Sequence, residues 1–301
     1  KGEPRIIPLD PSFYHAPSWS PDSRKLAFMD KRLNVWLVDL AEGKPRKLDT
    51  FRQSGLGGLT SLIWAPDSRW IAYDKTLPNG YSAIHVAGLE DGKVRQLTDG
   101  LSDAGHPVFD PSGQYLYFTA STDIGPSVSG FDMNSYPHRT TRSVYLAVLK
   151  KGVASPLAPE SDEEKAEPDK KKEEAASSKD KPAEPKSGDK TPEKKADPVV
   201  IDFEGLDQRI LALPISERPI AALACGKKGQ LLILEMPETR GEGQSGLTLH
   251  AYDLAKRKLD KVMDGVQRFD LSAKGEKSWS APRRAGSSPG PARLPSPARA
   301  G

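Results

Sequence analysis

Residues 18–28 read SWSPDSRKLAF, and nearly the same phrase returns as IWAPDSRWIAY at 63–73 and as VFDPSGQYLYF at 108–118. The prolines of the three phrases are spaced by 45 residues, at positions 21, 66 and 111. A period of this size is typical of one four-stranded propeller blade. The sequence therefore predicts an all-β fold, a β-propeller built from four-stranded blades.

The chemistry of the repeated phrase also favours a blade. Proline suits the first central position of a tight turn, and the Asp, Ser or Gly that follows it is a good turn residue. Asp22 and Asp67 are therefore interpreted as Asx-turn residues rather than as ligands or acids. Leu26 and Phe28 then alternate with Lys25 and Ala27, as in a strand. Stacking of blades is expected to bury the recurrent aromatic residues Trp19, Trp64, Phe109, Phe28, Tyr73 and Phe118.

Weaker repeats follow in the second half of the chain. Strand-like segments occur at 143–149 and 247–254, and glycines at 229 and 275 open two further units. Five repeat openings or partial blades predict most of one propeller, incomplete at one end or both. No strand-like sequence follows Gly275, so the propeller fragment is predicted to span residues 1–277.

Two segments do not fit the repeat. Residues 159–198 contain acidic residues, lysine and proline but no aromatic residue, Val, Ile or Leu. Such a segment cannot offset its ordering entropy, so we predict a disordered insertion in a blade loop. Residues 278–301 are nearly all Ser, Ala, Pro, Arg and Gly. We interpret them as a disordered tail or as non-native sequence from a frameshift.

Composition excludes several classes of protein. The formal net charge of +3 gives no reason to expect a nucleic-acid partner. The single cysteine, Cys225, excludes a disulfide within the chain. No apolar run approaches the length of a membrane helix. The chain opens as KGEPRIIPLD, without Met or a signal peptide, which suggests a fragment.

Several passages carry a family resemblance. The repeated W-S-P-D phrase resembles the TolB-like and tricorn-type propeller repeats, cousins of WD repeats. GQYLYFTASTDI at 113–124, TRSVYLAVL at 141–149 and SPLAPESD at 155–162 look like bacterial tricorn protease homologues. IDFEGLDQRILALP at 201–214 resembles the passage that follows a Lys/Glu/Pro-rich insertion in that family. The resemblance covers roughly residues 17–270 and matches the family's second β-propeller.

The resemblance implies a large modular serine peptidase that degrades oligopeptides. Its propellers would guide or filter peptides travelling to an active site outside this chain. Implied partners are oligopeptide substrates and the remaining peptidase domains, and a homo-oligomer is compatible with them. A stand-alone TolB-like module that binds proteins and the propeller of a prolyl-oligopeptidase-like enzyme are the alternatives. The expected compartment is the cytoplasm, with the periplasm as the alternative.

The residues themselves indicate no catalytic, cofactor or metal site. Gly100–Gly105 and Gly243–Gly246 fail the G-x-S-x-G spacing and fit turns better. Cys225 is interpreted as a small buried residue. Arg209 is the candidate for a substrate channel, although an exposed strand arginine is the simpler reading. The histidines lack metal-ligand spacing and are assigned structural roles, namely His15, His85, His106, His138 and His250.

Overall fold

The computed structural model describes residues 6–52, 61–123, 140–158, 197–237, 246–271, 277–282 and 292–293. Within these ranges the chain forms four antiparallel sheets and one single-turn 3-10 helix, Asp207–Arg209. Successive strands are hydrogen-bonded neighbours in every sheet. This up-and-down order is the order of strands in a propeller blade.

Each sheet is called a blade here, numbered in chain order. Blade 1 contains β1 (Tyr14–Trp19), β2 (Lys25–Asp30), β3 (Asn34–Asp39) and β4 (Pro45–Thr50). Blade 2 contains β5 (Ile63–Trp64), β6 (Trp70–Thr76), β7 (Ser82–Gly88) and β8 (Val94–Gln96). Blade 3 contains β9 (Asp103–Phe109), β10 (Tyr115–Ser121), β11 (Ser143–Val148) and β12 (Ile210–Ala212). Blade 4 contains β13 (Ile220–Cys225), β14 (Gln230–Glu235), β15 (Leu247–Asp253) and β16 (Lys258–Leu271), and β17 (Lys277–Pro282) and β18 (Ala292–Arg293) extend it.

The hydrophobic cores lie between blades, because neighbouring strand residues point to opposite faces of a sheet. Ala27 and Met29 of blade 1 pack with Ile71 and Tyr73 of blade 2. Equivalent clusters join blade 2 to blade 3 and blade 3 to blade 4. The sheets therefore stack face to face, and the predicted all-β propeller fold is confirmed.

The repeated Pro-Asp-Ser phrase forms the turn between the first two strands of a blade. Asp22 Oδ1 accepts a hydrogen bond of 3.0 Å from Arg24 N, and Asp67 Oδ1 accepts one of 3.0 Å from Arg69 N. These are Asx turns, as predicted. The turns also join blades, because Asp22 N donates to Ser68 Oγ at 3.1 Å.

One of the recurrent aromatic residues does not have the predicted burial. Trp64 is 9% exposed and Phe109 is 5% exposed, whereas Trp19 at the same repeat position is 57% exposed. Trp64 and Phe109 face the preceding blade, and no described sheet covers that face of blade 1. Burial of this position therefore depends on the neighbouring blade, and the expectation for Trp19 was wrong.

The end of the described chain holds a second difference. We expected no strand after Gly275, but β17 pairs with the far half of β16, as in the pair Phe269 and Ser280. Main-chain hydrogen bonding needs no strand-like side chains, so the composition of the segment was a poor guide. Of the predicted tail 278–301, only residues 278–282 and 292–293 lie within the described ranges.

The predicted insertion falls inside blade 3. β11 and β12 are antiparallel neighbours, with Tyr145 opposite Ala212, so residues 149–209 connect two adjacent strands of one sheet. Residues 159–196 lie outside the described ranges. The corresponding connections in the other blades are short, at residues 40–44, 89–93 and 254–257.

Candidate functional site

The long connection in blade 3 returns to the sheets through residues 197–206, called the strap, which are extended as far as Phe203 and then turn at residues 204–205. Val199, Ile201 and Leu206 of the strap are buried in the core between blades 2 and 3. The strap therefore lies along the seam where these two blades meet. Its alternating exposure, with Val200 45% exposed between two buried neighbours, is that of an extended chain on a packed surface.

Blade 2 binds the first part of the strap through main-chain groups. Val199 N donates to Asp67 Oδ2 at 2.7 Å, and Trp70 Nε1 donates to Val199 O at 3.1 Å. The ring of Phe203 packs against Trp70 with centroids 6.0 Å apart. The Arg95 guanidinium lies 4.8 Å from the Phe203 centroid, which is a cation–π contact.

Blade 3 binds the second part of the strap. Asp202 N donates to Leu149 O at 2.9 Å, and Lys151 N donates to Asp202 Oδ2 at 2.8 Å. Arg209, at the end of the 3-10 helix, donates to three main-chain carbonyls. These are Val148 O at 3.1 Å, Glu204 O at 3.2 Å and Asp202 O.

Arg209 thus has a contact set that the sequence did not indicate. Its guanidinium ties the strap to β11, and its residue directly precedes β12, three strands away from β9 in the sheet order. The sequence motif offered no sign of these carbonyl partners, because they depend on how residues 202–209 fold back. The role of Arg209 in a substrate channel stays a prediction.

The polar groups at the opposite end of blade 3 form a small cavity of about 40 Å³. Glu217 accepts a hydrogen bond of 3.2 Å from Ser143 Oγ at its rim. Beside it, Arg142 forms an ion pair of 2.5 Å with Asp103, and Asp103 Oδ1 accepts from Ser82 N of blade 2. The cavity has room for about one water molecule.

Histidines lie in packed positions. Burial, followed by the nearby Arg142 cation, lowers the pKa of His106 to about 4. Thr119 Oγ1 donates to Gly105 O, so His106 Nδ1 is the donor in its 3.0 Å contact with Thr119. Burial also lowers the pKa of His85, whose ring stacks on Tyr73.

His250 lies beside an acidic side chain. His250 Nε2 lies 2.9 Å from Glu235, and His138 lies outside the described ranges. Among the residues that the structure describes, no three His, Cys, Asp or Glu side chains are grouped so as to hold a metal ion. In the described part of the chain, no helix is long and apolar enough to cross a membrane.

Cys225 lies at the interface of blades 3 and 4, beside a carboxylate that the sequence analysis passed over. Burial, reinforced by Asp110, raises the pKa of the Cys225 thiol, so the thiolate that a nucleophile needs is disfavoured. Asp110 is fully buried and accepts a hydrogen bond of 3.0 Å from Gly229 N of blade 4. Its place just before the proline of the third repeat was the available signal, since blades 1 and 2 have Ser20 and Ala65 there.

Comparison with known proteins identifies the family. A family model described as the tricorn protease second β-propeller domain matches residues 1–278. This chain belongs to the tricorn second-propeller family. The tricorn protease homolog of Saccharolobus solfataricus is 27% identical over 277 residues, which is 90% of this chain and 22% of that protein. The putative tricorn-like protease C-terminal subunit of Sulfurisphaera tokodaii is 25% identical over 257 residues, covering 84% of this chain and 26% of that protein.

Solved structures agree on the fold of this tricorn-type propeller. The crystal structure of the tricorn protease superposes with a TM-score of 0.63 at 19% identity, covering 89% of this chain and 24% of that one. The propeller domain of the Pyrococcus furiosus Trilobed protease superposes with a TM-score of 0.51 at 12% identity, covering 91% of this chain and 66% of that domain. The chain spans about a quarter of the length of the curated relatives named above.

Proposed function

We propose that this tricorn-type propeller is the non-catalytic part of a serine peptidase that degrades oligopeptides, and that it guides or filters peptides travelling to an active site elsewhere. The observation that carries the proposal is the match of residues 1–278 to the second propeller of tricorn protease. The peptidase reaction, the oligopeptide substrates and the partner domains are all part of the proposal.

The chemistry of the described residues is compatible with this division of labour. Peptide hydrolysis by a serine needs a nucleophile, a base within hydrogen-bond reach and an oxyanion site. His85, His106 and His250 are packed against Tyr73, Thr119 and Glu235 respectively, and His15 stacks on Phe13. Cys225 is a buried thiol of raised pKa. We therefore assign catalysis to residues outside this chain.

The test compares the purified chain with the complete reading frame that contains it. We expect no hydrolysis of fluorogenic oligopeptides by the chain alone, and hydrolysis by the complete protein that a serine-directed inhibitor abolishes. Retention of activity in the isolated chain after every purification step would contradict the non-catalytic role. A complete protein without peptidase activity towards any oligopeptide would contradict the proposed reaction.

The guiding role needs its own measurement. Replacing the propeller by a short linker in the complete protein should change the length distribution of peptides that are cleaved, with a short dipeptide-like reporter still hydrolysed. Identical cleavage of long and short peptides by the two proteins would show that the propeller neither guides nor filters them.

A further inference from the structure

The strap is bound by blades 2 and 3 at once, and no equivalent segment occurs in the described connections of the other blades. Those connections are the turns at residues 40–44, 89–93 and 254–257. In the seam between blades 1 and 2, Leu89 O accepts a hydrogen bond of 2.6 Å from Arg46 Nη2. The matching carbonyl of blade 3, Leu149 O, accepts instead from Asp202 N of the strap. A side chain therefore crosses the first seam and a main-chain segment crosses the second.

The contacts made by Asp67 show that its carboxylate has two separate tasks. Oδ1 accepts from Arg69 N and closes the Asx turn, as Asp22 does in blade 1. Oδ2 accepts from Val199 N, 132 residues further along the chain. The corresponding Oδ2 of Asp22 forms an ion pair of 3.6 Å with Lys25 of its own blade. In blade 2 the same turn residue thus has a partner in the strap.

The strap passes so close to Gly113 of blade 3 that a side chain there would collide with it. Gly113 has φ of +70°, and a Cβ added to it would lie 2.7 Å from Val199 Cγ2. Ser23 and Ser68 occupy the same place in the other two turns at φ of 57° and 62°, so the backbone conformation by itself does not require glycine. Glycine in blade 3 is explained by the close approach of the buried Val199 side chain.

Arg209 holds the other end of the strap. Its three carbonyl contacts join residues 202 and 204 of the strap to Val148 of β11. A planar guanidinium presents its N–H donors in a rigid fork, whereas the ammonium group of lysine carries three rotatable donors on a flexible stem. Arg209 is therefore a positioning residue for the strap.

We propose that the strap is a clasp that locks blades 2 and 3 into one cooperative unit, with Asp67 and Arg209 holding its two ends. Releasing either end exposes main-chain groups that are hydrogen-bonded when the strap is bound. It also weakens the packing of Val199, Ile201 and Leu206 in the core between blades 2 and 3. The two ends are therefore energetically coupled, although their anchoring residues belong to different blades.

The test uses the full 301-residue chain and hydrogen exchange read by mass spectrometry. Asp67→Asn keeps an oxygen for the Arg69 amide but places an NH₂ group against Val199 N, and Arg209→Lys removes the planar donor fork. We expect each variant to raise exchange by about tenfold or more at the amides of both Val199 and Asp202. The matched controls, Asp22→Asn in the equivalent turn and Arg24→Lys on the exposed surface, should leave strap exchange unchanged.

A double-mutant cycle distinguishes a strap whose two ends are coupled from a strap held by two independent local contacts. Each substitution raises the unfolding equilibrium constant by some factor. If the strap acts as one unit, the factor measured for the double variant is smaller than the product of the two single factors by at least about threefold. Additive effects, with faster exchange only at the mutated end, would overturn the proposal. Trp70→Phe, which keeps the ring on Phe203 but removes the donor to Val199 O, replaces Asp67→Asn if that variant does not fold.

Discussion

At the scale of single residues, buried carboxylates in this protein act as acceptors for main-chain and side-chain donors rather than as acids. Asp30, 5% exposed, accepts from Arg32 N, Asn34 N, Asn34 Nδ2 and Trp36 Nε1. Burial by itself would raise the pKa of Asp30, but these hydrogen bonds outweigh it and lower that pKa to about 2. The ionised carboxylate therefore stabilises the turn between β2 and β3.

Asp30→Asn tests this stabilisation and its pH dependence. At pH 7 we expect the free energy of unfolding to fall by about 1–2 kcal/mol, the order of magnitude that the lowered pKa implies. Because the folded pKa is depressed, the contribution is present above about pH 4 and is lost as pH falls towards 2. Urea unfolding between pH 7 and pH 2 should show the wild type and the variant converging.

The control for this prediction is Asp99→Asn, because the Asp99 carboxylate is exposed and accepts a hydrogen bond of 3.0 Å from Leu101 N. It should change the free energy of unfolding by less than about 0.5 kcal/mol at every pH. A constant difference between wild type and Asp30→Asn across the pH range would show that the loss is not electrostatic.

Gly113→Ser tests the close approach of the strap at the residue scale. Serine is the native residue at the same place in blades 1 and 2, but here its Cβ would meet the stiff Val199 side chain. We expect a loss of about 1–3 kcal/mol in the free energy of unfolding, from overpacking. Ser23→Gly, the reverse change in the exposed turn of blade 1, should cost less than about 1 kcal/mol, and equal losses for the two variants would refute the steric explanation.

At the scale of elements, a blade is stabilised by its neighbour more than by its own strands. Trp64 donates from Nε1 to Ser18 O of blade 1 at 3.2 Å, and Ser18 Oγ donates to Leu62 O at 2.9 Å. A four-stranded sheet cannot bury both faces alone, so stacking supplies most of the apolar burial. A residue at the same repeat position is therefore expected to contribute differently to the free energy of unfolding in different blades.

Trp64→Ala and Trp19→Ala form a matched pair for this point. Removing the 9% exposed Trp64 should lower the free energy of unfolding by about 3–5 kcal/mol, because it leaves a cavity between blades 1 and 2. Removing the 57% exposed Trp19 should cost about 1 kcal/mol or less. Denaturant unfolding of the chain checks both values, and similar losses would mean that Trp19 has a covering surface in solution.

The elements also show where sequence reasoning succeeded. The turns at Asp22 and Asp67 were predicted from their turn residues. The strands β2, β6, β10, β14 and β15 were predicted from short alternating or continuous apolar runs bounded by such turns. β17 was missed because its segment lacks β-branched and aromatic enrichment. The burial of the strap was not predicted, because it depends on residues of blades 2 and 3 that are distant in sequence from residues 197–206.

At the scale of the whole molecule, four stacked sheets provide a scaffold whose seams differ from one another. The seam between blades 1 and 2 is crossed by Arg46 and by the Asp22–Ser68 bond, and the seam between blades 3 and 4 by the Asp110–Gly229 bond. The seam between blades 2 and 3 has the strap. The blades share one repeated fold, but the contacts between successive blades differ from one pair to the next.

What the amino-acid sequence by itself determined was the repeating part of this protein: the 45-residue blade, its Asx turn, the all-β class and the resemblance to the tricorn family. These can be read from the sequence because they depend on turn residues and strand alternation within short segments, and on the return of those segments along the chain. Only the tertiary structure decided the exposure of Trp19, the carbonyl contacts of Arg209, the buried role of Asp110 and the need for glycine at 113. The exposure of Trp19 and the roles of Asp110 and Gly113 depend on what packs against each blade, and the contacts of Arg209 depend on how residues 202–209 fold onto β11. Folding brings together residues whose separation along the chain, up to 132 between Asp67 and Val199, leaves no local pattern.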